Sequence, residues 1–225
     1  MTEHVIVGKL EVNCWIIPLD KNPIDKNQLS PCILIDPGAD AANIISRLET
    51  LRLYPQTILL THGHFDHTGA VAELMDFFRE QMPELAAPVL AIHKDDAVFV
   101  NPETQHMLFD TLSTPQRRFA QIIWAAMPLP TRLLKDGDEI GPFKVIHTPG
   151  HSLGSVCFFD QVKNQLFSGD TLFAGGIGRS DGPGGSTEAI GKSLKKLLLM
   201  DKNIEVFPGH GPTTTIENEF WMKDN

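Results

Sequence analysis

Apolar residues recur along this chain with two alternating periods, and the alternation predicts a mixed α/β order. Short runs rich in β-branched and aromatic side chains predict strands over 5–7, 14–18, 32–35, 57–60, 89–92, 144–147, 155–159, 165–168 and 205–207. Between them, Ile44, Ile45, Leu48 and Leu51 form a helical stripe after Asp40, the expected N-cap. Val71, Leu74, Met75, Phe78 and Met82 form a second stripe that Pro83 must break. Ile190, Leu194, Leu197 and Leu198 form a third, with Ser186 or Thr187 as cap and Lys192, Lys195 and Lys196 turned outward. These stripes read as core, not as ligand boxes. Two segments break the pattern. Residues 20–31, rich in Lys, Asn and Pro, read as a polar hairpin excursion, and 95–130 reads as a helical insertion that could lie over a site or meet a second subunit.

Size and charge narrow the picture. At 225 residues with 42% hydrophobic content, residues 1–225 suit a single domain with a sizeable core. A formal charge of −9 argues against nucleic acid as a partner, because phosphate backbones are held by basic side chains. No run approaches a membrane span, and the amino terminus lacks the basic start and apolar stretch of a signal peptide; the expected compartment is the cytoplasm. Cys14, Cys32 and Cys157 are scattered within apolar runs without metal spacing and read as buried thiols.

The chemistry concentrates in Thr61-His62-Gly63-His64-Phe65-Asp66-His67, three imidazoles and a carboxylate directly after an apolar run. Neutral imidazole and carboxylate are the ligands that zinc and its first-row neighbours accept. On an extended strand His62 and His64 would project to one side, leaving Asp66 and His67 to face a second point nearby. Three further segments repeat a pattern of strand, glycine and ligand: Pro149-Gly150-His151, Ser168-Gly169-Asp170 and Pro208-Gly209-His210. His4, His93, His106 and His147 match no such position and read as structural. No Ser-His-Asp or Cys-His arrangement around a glycine elbow is present, so a covalent nucleophile is not indicated.

From Leu34-Ile35-Asp36-Pro37-Gly38 to Pro208-Gly209-His210-Gly211 the chain resembles the metallo-β-lactamase superfamily, specifically its single-domain glyoxalase II-like branch. The resemblance implies a four-layer αββα sandwich with metals at one edge. It implies a first metal held by His62, His64 and His151, a second held by Asp66, His67 and His210, and Asp170 bridging the two. Asp36 matches a carboxylate that orients a ligating histidine. The implied cofactors are two divalent ions, zinc or else iron or manganese. The implied reaction is hydrolysis of an S-acyl glutathione or related small thioester by metal-bound hydroxide, with Asp66 orienting or deprotonating the water. Arg179, beyond Asp170, reads either as a residue lining the substrate channel or as a salt-bridge partner only. Lowering the pKa of water from 15.7 to about 7 is worth roughly 12 kcal/mol, against about 3–5 kcal/mol for a positioned side-chain base.

Departures from the wider family narrow the choice. True metallo-β-lactamases usually carry cysteine where this chain has Asp170 and lack a match for His67. Full-length glyoxalase II carries a C-terminal helical domain that grips glutathione, whereas this chain stops fifteen residues after His210. A persulfide dioxygenase binding a single iron through His62, His151 and Asp170 is the main alternative, and hydrolysis of another ester, a lactone or a phosphodiester is the second. The residues around Gly182-Pro183-Gly184-Gly185 lean towards the hydrolase.

Overall fold

The computed structural model describes residues 2–19, 29–101, 127–182 and 184–219. In chain order these form strands β1 (Glu3–Val7), β2 (Val12–Pro18) and β3 (Ser30–Ile35), helix α1 (Ala41–Leu51), β4 (Leu53–Leu59), α2 (Phe65–Thr68), α3 (Val71–Gln81), β5 (Val89–His93) and α4 (Ala97–Val100). Then follow β6 (Arg132–Leu134), β7 (Glu139–Ile140), β8 (Phe143–His147), β9 (Val156–Asp160), β10 (Gln165–Gly169), β11 (Leu172–Phe173), β12 (Gly176–Ile177), α5 (Thr187–Leu198), β13 (Glu205–Pro208) and β14 (Thr214–Thr215).

Two six-stranded sheets, ordered β1-β2-β3-β4-β5-β6 and β14-β13-β10-β9-β8-β7, face each other. Their inner faces supply Trp15, Ile17, Ile33, Ile35 and Leu59 from the first sheet and Phe143, Val145, Val156, Phe158 and Phe167 from the second. Period-2 alternation explains the outer faces. Cys14, Ile16, Cys32, Leu34 and Ile58 point the other way, against Ile44 and Leu48 of α1 and Val71, Leu74 and Phe78 of α3. On the far side Cys157, Leu166 and Val206 pack against Ile190, Leu194 and Leu197 of α5. The order of layers is helix, sheet, sheet, helix, as expected.

Each predicted strand and helical stripe has its element, and the lysines of α5 face solvent. The strands missed, such as Arg132–Leu134, Leu172–Phe173 and Thr214–Thr215, are two or three residues long, too short for a periodic signal. Asp40 does occupy the N-cap position of α1, but its side chain does not cap the helix. Its backbone is left-handed (φ 53°), and the carboxylate accepts the Gly8 N–H across the β1–β2 turn at 2.8 Å instead. Ser186 is the cap of α5, accepting from Ala189 N–H at 3.2 Å. All three cysteines are buried and free, and burial raises each thiol pKa, for Cys157 to about 11. Most of the 95–130 segment and of the 20–31 excursion lies outside the described residues. At the start of the former, α4 buries Phe99 and Val100.

Topology gathers the functional loops at one edge. β8 and β10 are both antiparallel to β9, and β13 is parallel to β10, so β8, β10 and β13 all end on the same side of their sheet. The loop after β4 joins them there, where Thr61 C=O accepts the Val156 N–H at 2.9 Å. Asn13 fixes the opposite flank: its side-chain amide donates to Pro208 C=O (3.0 Å) and Gly211 C=O (2.9 Å), and its backbone N–H donates to Gly209 C=O (2.8 Å).

Candidate metal centre

All seven predicted ligands meet at this edge, with Asp36 behind them. His62 and His64 do not lie on a strand as the spacing implied. β4 stops at Leu59, and both project from the loop that follows, while Asp66 and His67 sit on the separate four-residue helix α2. The loop bends because its backbone is held by groups outside the sheet. Thr61 N–H donates to Asp36 at 2.8 Å, and Gly63 N–H donates to the side chain of Asp96 at 2.9 Å.

Two donor sets result. In the first, His151 Nε2 lies 2.8 Å from His64 Nδ1 and 3.2 Å from His62 Nε2. In the second, Asp66 Oδ2 lies 3.8 Å from His67 Nε2 and 3.7 Å from His210 Nε2. Asp170 stands between them, with Oδ1 3.3 Å from His67 Nε2 and Oδ2 at 3.5 Å from His151 and 3.6 Å from His210. The donor atoms of each set lie within 4.8 Å of one another.

The outer hydrogen bonds fix which ring nitrogen faces inward. His67 Nδ1 donates to Asp36 (3.0 Å), His151 Nδ1 to Arg179 C=O (2.7 Å) and His210 Nδ1 to Leu10 C=O (2.8 Å). Carboxylates and carbonyls can only accept, so these bonds require a proton on Nδ1. His62 Nδ1 lies 3.1 Å from Thr61 Oγ1, whose own proton goes to Asp36 at 2.6 Å, so the hydroxyl must accept. In the neutral rings each Nε2 therefore presents a lone pair to the centre. Lone pairs and carboxylates crowded together repel unless a cation lies among them. Consistently, His67 Nε2 and Asp170 Oδ1, which face the centre, are buried without a hydrogen-bond partner. The donor set fits divalent metal ions. Sequence reading found every side chain of the two sets, but not Thr61, Asp96 or the carbonyls of Leu10 and Arg179.

Titration follows from the same crowding. Burial, then the neighbouring histidines, lowers the pKa of His62; burial and His151 lower that of His64 to about 4. Burial acts in the same direction on His67, but Asp170, Asp36 and Asp66 outweigh it and raise its pKa. Burial raises the carboxyl pKa of Asp170, yet His67, His151 and His210 outweigh it and leave it well below the ordinary carboxylate range. The sign for the metal-free protein is then fixed. Below about pH 6.5, the unfolded histidine value, the unfolded state takes up protons that His62 and His64 refuse, so stability falls on acidification. Above that pH, folded His67 holds a proton that the unfolded chain gives up, so stability falls on alkalinisation. Thermal melts of chelator-treated protein should peak near pH 6.5; a melting temperature rising steadily from pH 6 to 8.5 would contradict the His67 environment.

Asp66 and His210 are partly exposed, so the centre opens on their side. A cleft of about 560 Å³ runs from Asp66 past Phe65, Leu10, Val7 and Ala39, mostly apolar and bounded by the β1–β2 turn. The Arg179 guanidinium is exposed and paired with Asp181 at 2.8 Å, while its carbonyl holds His151.

Fold and donor geometry define a metallohydrolase of the two-sheet sandwich class. The chain belongs to the Metallo-beta-lactamase superfamily, whose sequence pattern matches residues 27–80 and 85–210. It is 34% identical over 223 residues to hydroxyacylglutathione hydrolase GloC of Haemophilus influenzae, covering 96% of this chain and 93% of that protein. Among solved structures, TTHA1623 in a di-iron-bound form superposes with a TM-score of 0.75 at 35% identity, covering 96% of both chains. The BLEG-1 B3 metallo-beta-lactamase superposes with a TM-score of 0.76 at 32% identity, covering 97% of this chain and 96% of that one.

Proposed function

We propose that this protein is a binuclear, glyoxalase II-like thioesterase acting on S-acyl glutathione or a related small thioester. The observation that carries the reading is the second donor set. Asp66, His67 and His210 are assembled as completely as His62, His64 and His151, with Asp170 facing both. The relative named as a hydroxyacylglutathione hydrolase supports the thioester, and the di-iron form of TTHA1623 keeps iron beside zinc and manganese as the native ion.

A divalent pair supplies, when bound, the Lewis acidity that makes water nucleophilic near neutral pH. The chain supplies the rest. Asp66, on the open side, is placed to orient the attacking water and take its proton. Asp36 and Thr61 hold His67 and His62 in one tautomer, and the Leu10 and Arg179 carbonyls do so for His210 and His151. Attack on the thioester carbonyl forms a C–O bond and breaks the C–S bond, releasing an acid and a thiol. A thiolate leaves readily, so this reaction needs no strong general acid. The cleft beside Asp66 suits an apolar arm of the substrate.

The test is a substrate panel assayed on metal-loaded protein: S-D-lactoylglutathione, simple acyl thioesters, a lactone, a phosphodiester, a β-lactam, and glutathione persulfide with oxygen uptake. Thioesters are expected to give the highest kcat/KM; oxygen consumption on the persulfide with no thioester cleavage would overturn the assignment. In the same assay Arg179→Ala should raise KM for an anionic thioester while leaving kcat unchanged. An unaltered KM for every substrate would remove Arg179 from binding.

A further inference from the structure

Asp96, the residue before α4, is a buried carboxylate with no solvent exposure. Its Oδ2 accepts the Gly63 N–H at 2.9 Å and the Ser152 hydroxyl at 2.6 Å, and its Oδ1 accepts the Gly154 N–H at 2.6 Å. Gly63 separates His62 from His64, and Ser152 follows His151. One side chain therefore joins the two segments that carry all three histidines of the first donor set.

Packing around these bonds leaves little slack. A Cβ on Gly63 would come within 2.5 Å of the Phe99 Cβ, and one on Gly154 within 2.5 Å of the Asp96 backbone nitrogen. The Phe99 ring also meets the His64 ring edge-on, with centroids 5.3 Å apart. The stretch from Asp96 to Phe99 is the floor on which both loops rest.

We propose that Asp96 is a positioning residue for the metal centre: its carboxylate fixes the separation of the Gly63 and Ser152–Gly154 backbones. It thereby sets the distance between the His62/His64 pair and His151. The chemistry demands a carboxylate there. Two backbone donors bind opposite oxygens, and a neutral amide has one acceptor oxygen. Asn at this position would aim its own N–H at either Gly63 or Gly154, leaving buried donors face to face.

The proposal rests on the reading of His62, His64 and His151 as ligands of one ion, and the experiment separates the two. Zinc is titrated into chelator-stripped wild-type, Asp96→Asn and Ser152→Ala proteins against a competing chromophoric chelator. Absorption spectra are then taken of the cobalt-loaded forms. A wild-type protein that binds no zinc would end the reading of the site and this proposal with it. If wild type binds, Asp96→Asn should weaken one binding step about 10- to 100-fold, spare the other, and alter the cobalt spectrum. Ser152→Ala keeps the charge and both N–H bonds and should lose less. Unchanged affinity in Asp96→Asn would overturn the proposal alone, and so would equal weakening of both steps, the mark of a generally loosened fold. Should Asp96→Asn fail to fold, Ser152→Ala decides: weakening of one step supports the proposal, and wild-type affinity at both overturns it.

Discussion

Replacing Asp170 by Ala should yield a folded protein that loses bound metal and at least about three decades of kcat/KM, roughly 4 kcal/mol of transition-state stabilisation. The size follows from position. Asp170 lies within 3.3–3.6 Å of His67, His151 and His210, so its removal strips a negative charge and an oxygen donor from both sets together. The fold should survive because Asp170 follows the end of β10, whose core residues Leu166 and Phe167 are untouched. Circular dichroism, elemental analysis and thioester kinetics on the same preparation check this. Full metal content with normal turnover would refute a bridging role for Asp170.

The second large effect comes from a position with no functional group. A methyl on Gly209 would lie 2.4 Å from Asp170 Oδ1 and 2.8 Å from His67 Cε1, inside the donor cluster. Strain cannot be relieved freely: His67 is pinned by Asp36, and the Gly209 backbone is tied to Asn13 and to Gly169 C=O at 2.9 Å. Gly209→Ala should therefore displace ligands by a fraction of an ångström to about 1 Å, a misplacement able to cost on the order of 10²-fold in rate. Metal affinity should fall in parallel. Gly211→Ala is a poor control because Gly211 has a positive φ of 75°. Gly182→Ala meets open space and should leave activity unchanged. Wild-type kinetics for Gly209→Ala would mean that the loop after β13 yields more easily than its hydrogen bonds imply.

How far the sequence reveals this site depends on how local each signal is. His62, His64, Asp66 and His67 are legible because four potential ligands fall within six positions. His151, Asp170 and His210 are legible because each follows a strand and a glycine. Asp96 was not, for a physical reason: its partners are 33, 56 and 58 residues away, and nothing in Lys94-Asp95-Asp96 distinguishes a buried carboxylate from an exposed one. The carbonyls of Leu10 and Arg179 have no side-chain signature at all, since any residue could supply them. Asp40 shows the converse. Its type and position predict a cap, but a tertiary partner, the Gly8 N–H, takes the carboxylate. For the fold, strands of four to seven residues and helices of eleven or twelve carry a readable period, whereas pairing order and the meeting of β4, β8, β10 and β13 at one edge are non-local.

Metal content of the protein as purified, measured by inductively coupled plasma mass spectrometry against amino-acid analysis, bears most directly on the whole account. Close to two divalent ions per chain is the predicted result, falling together with thioester cleavage on chelation and returning with it on metal addition. A single iron per chain that leaves Asp66, His67 and His210 without a metal, with turnover unchanged when those three are substituted, would contradict it.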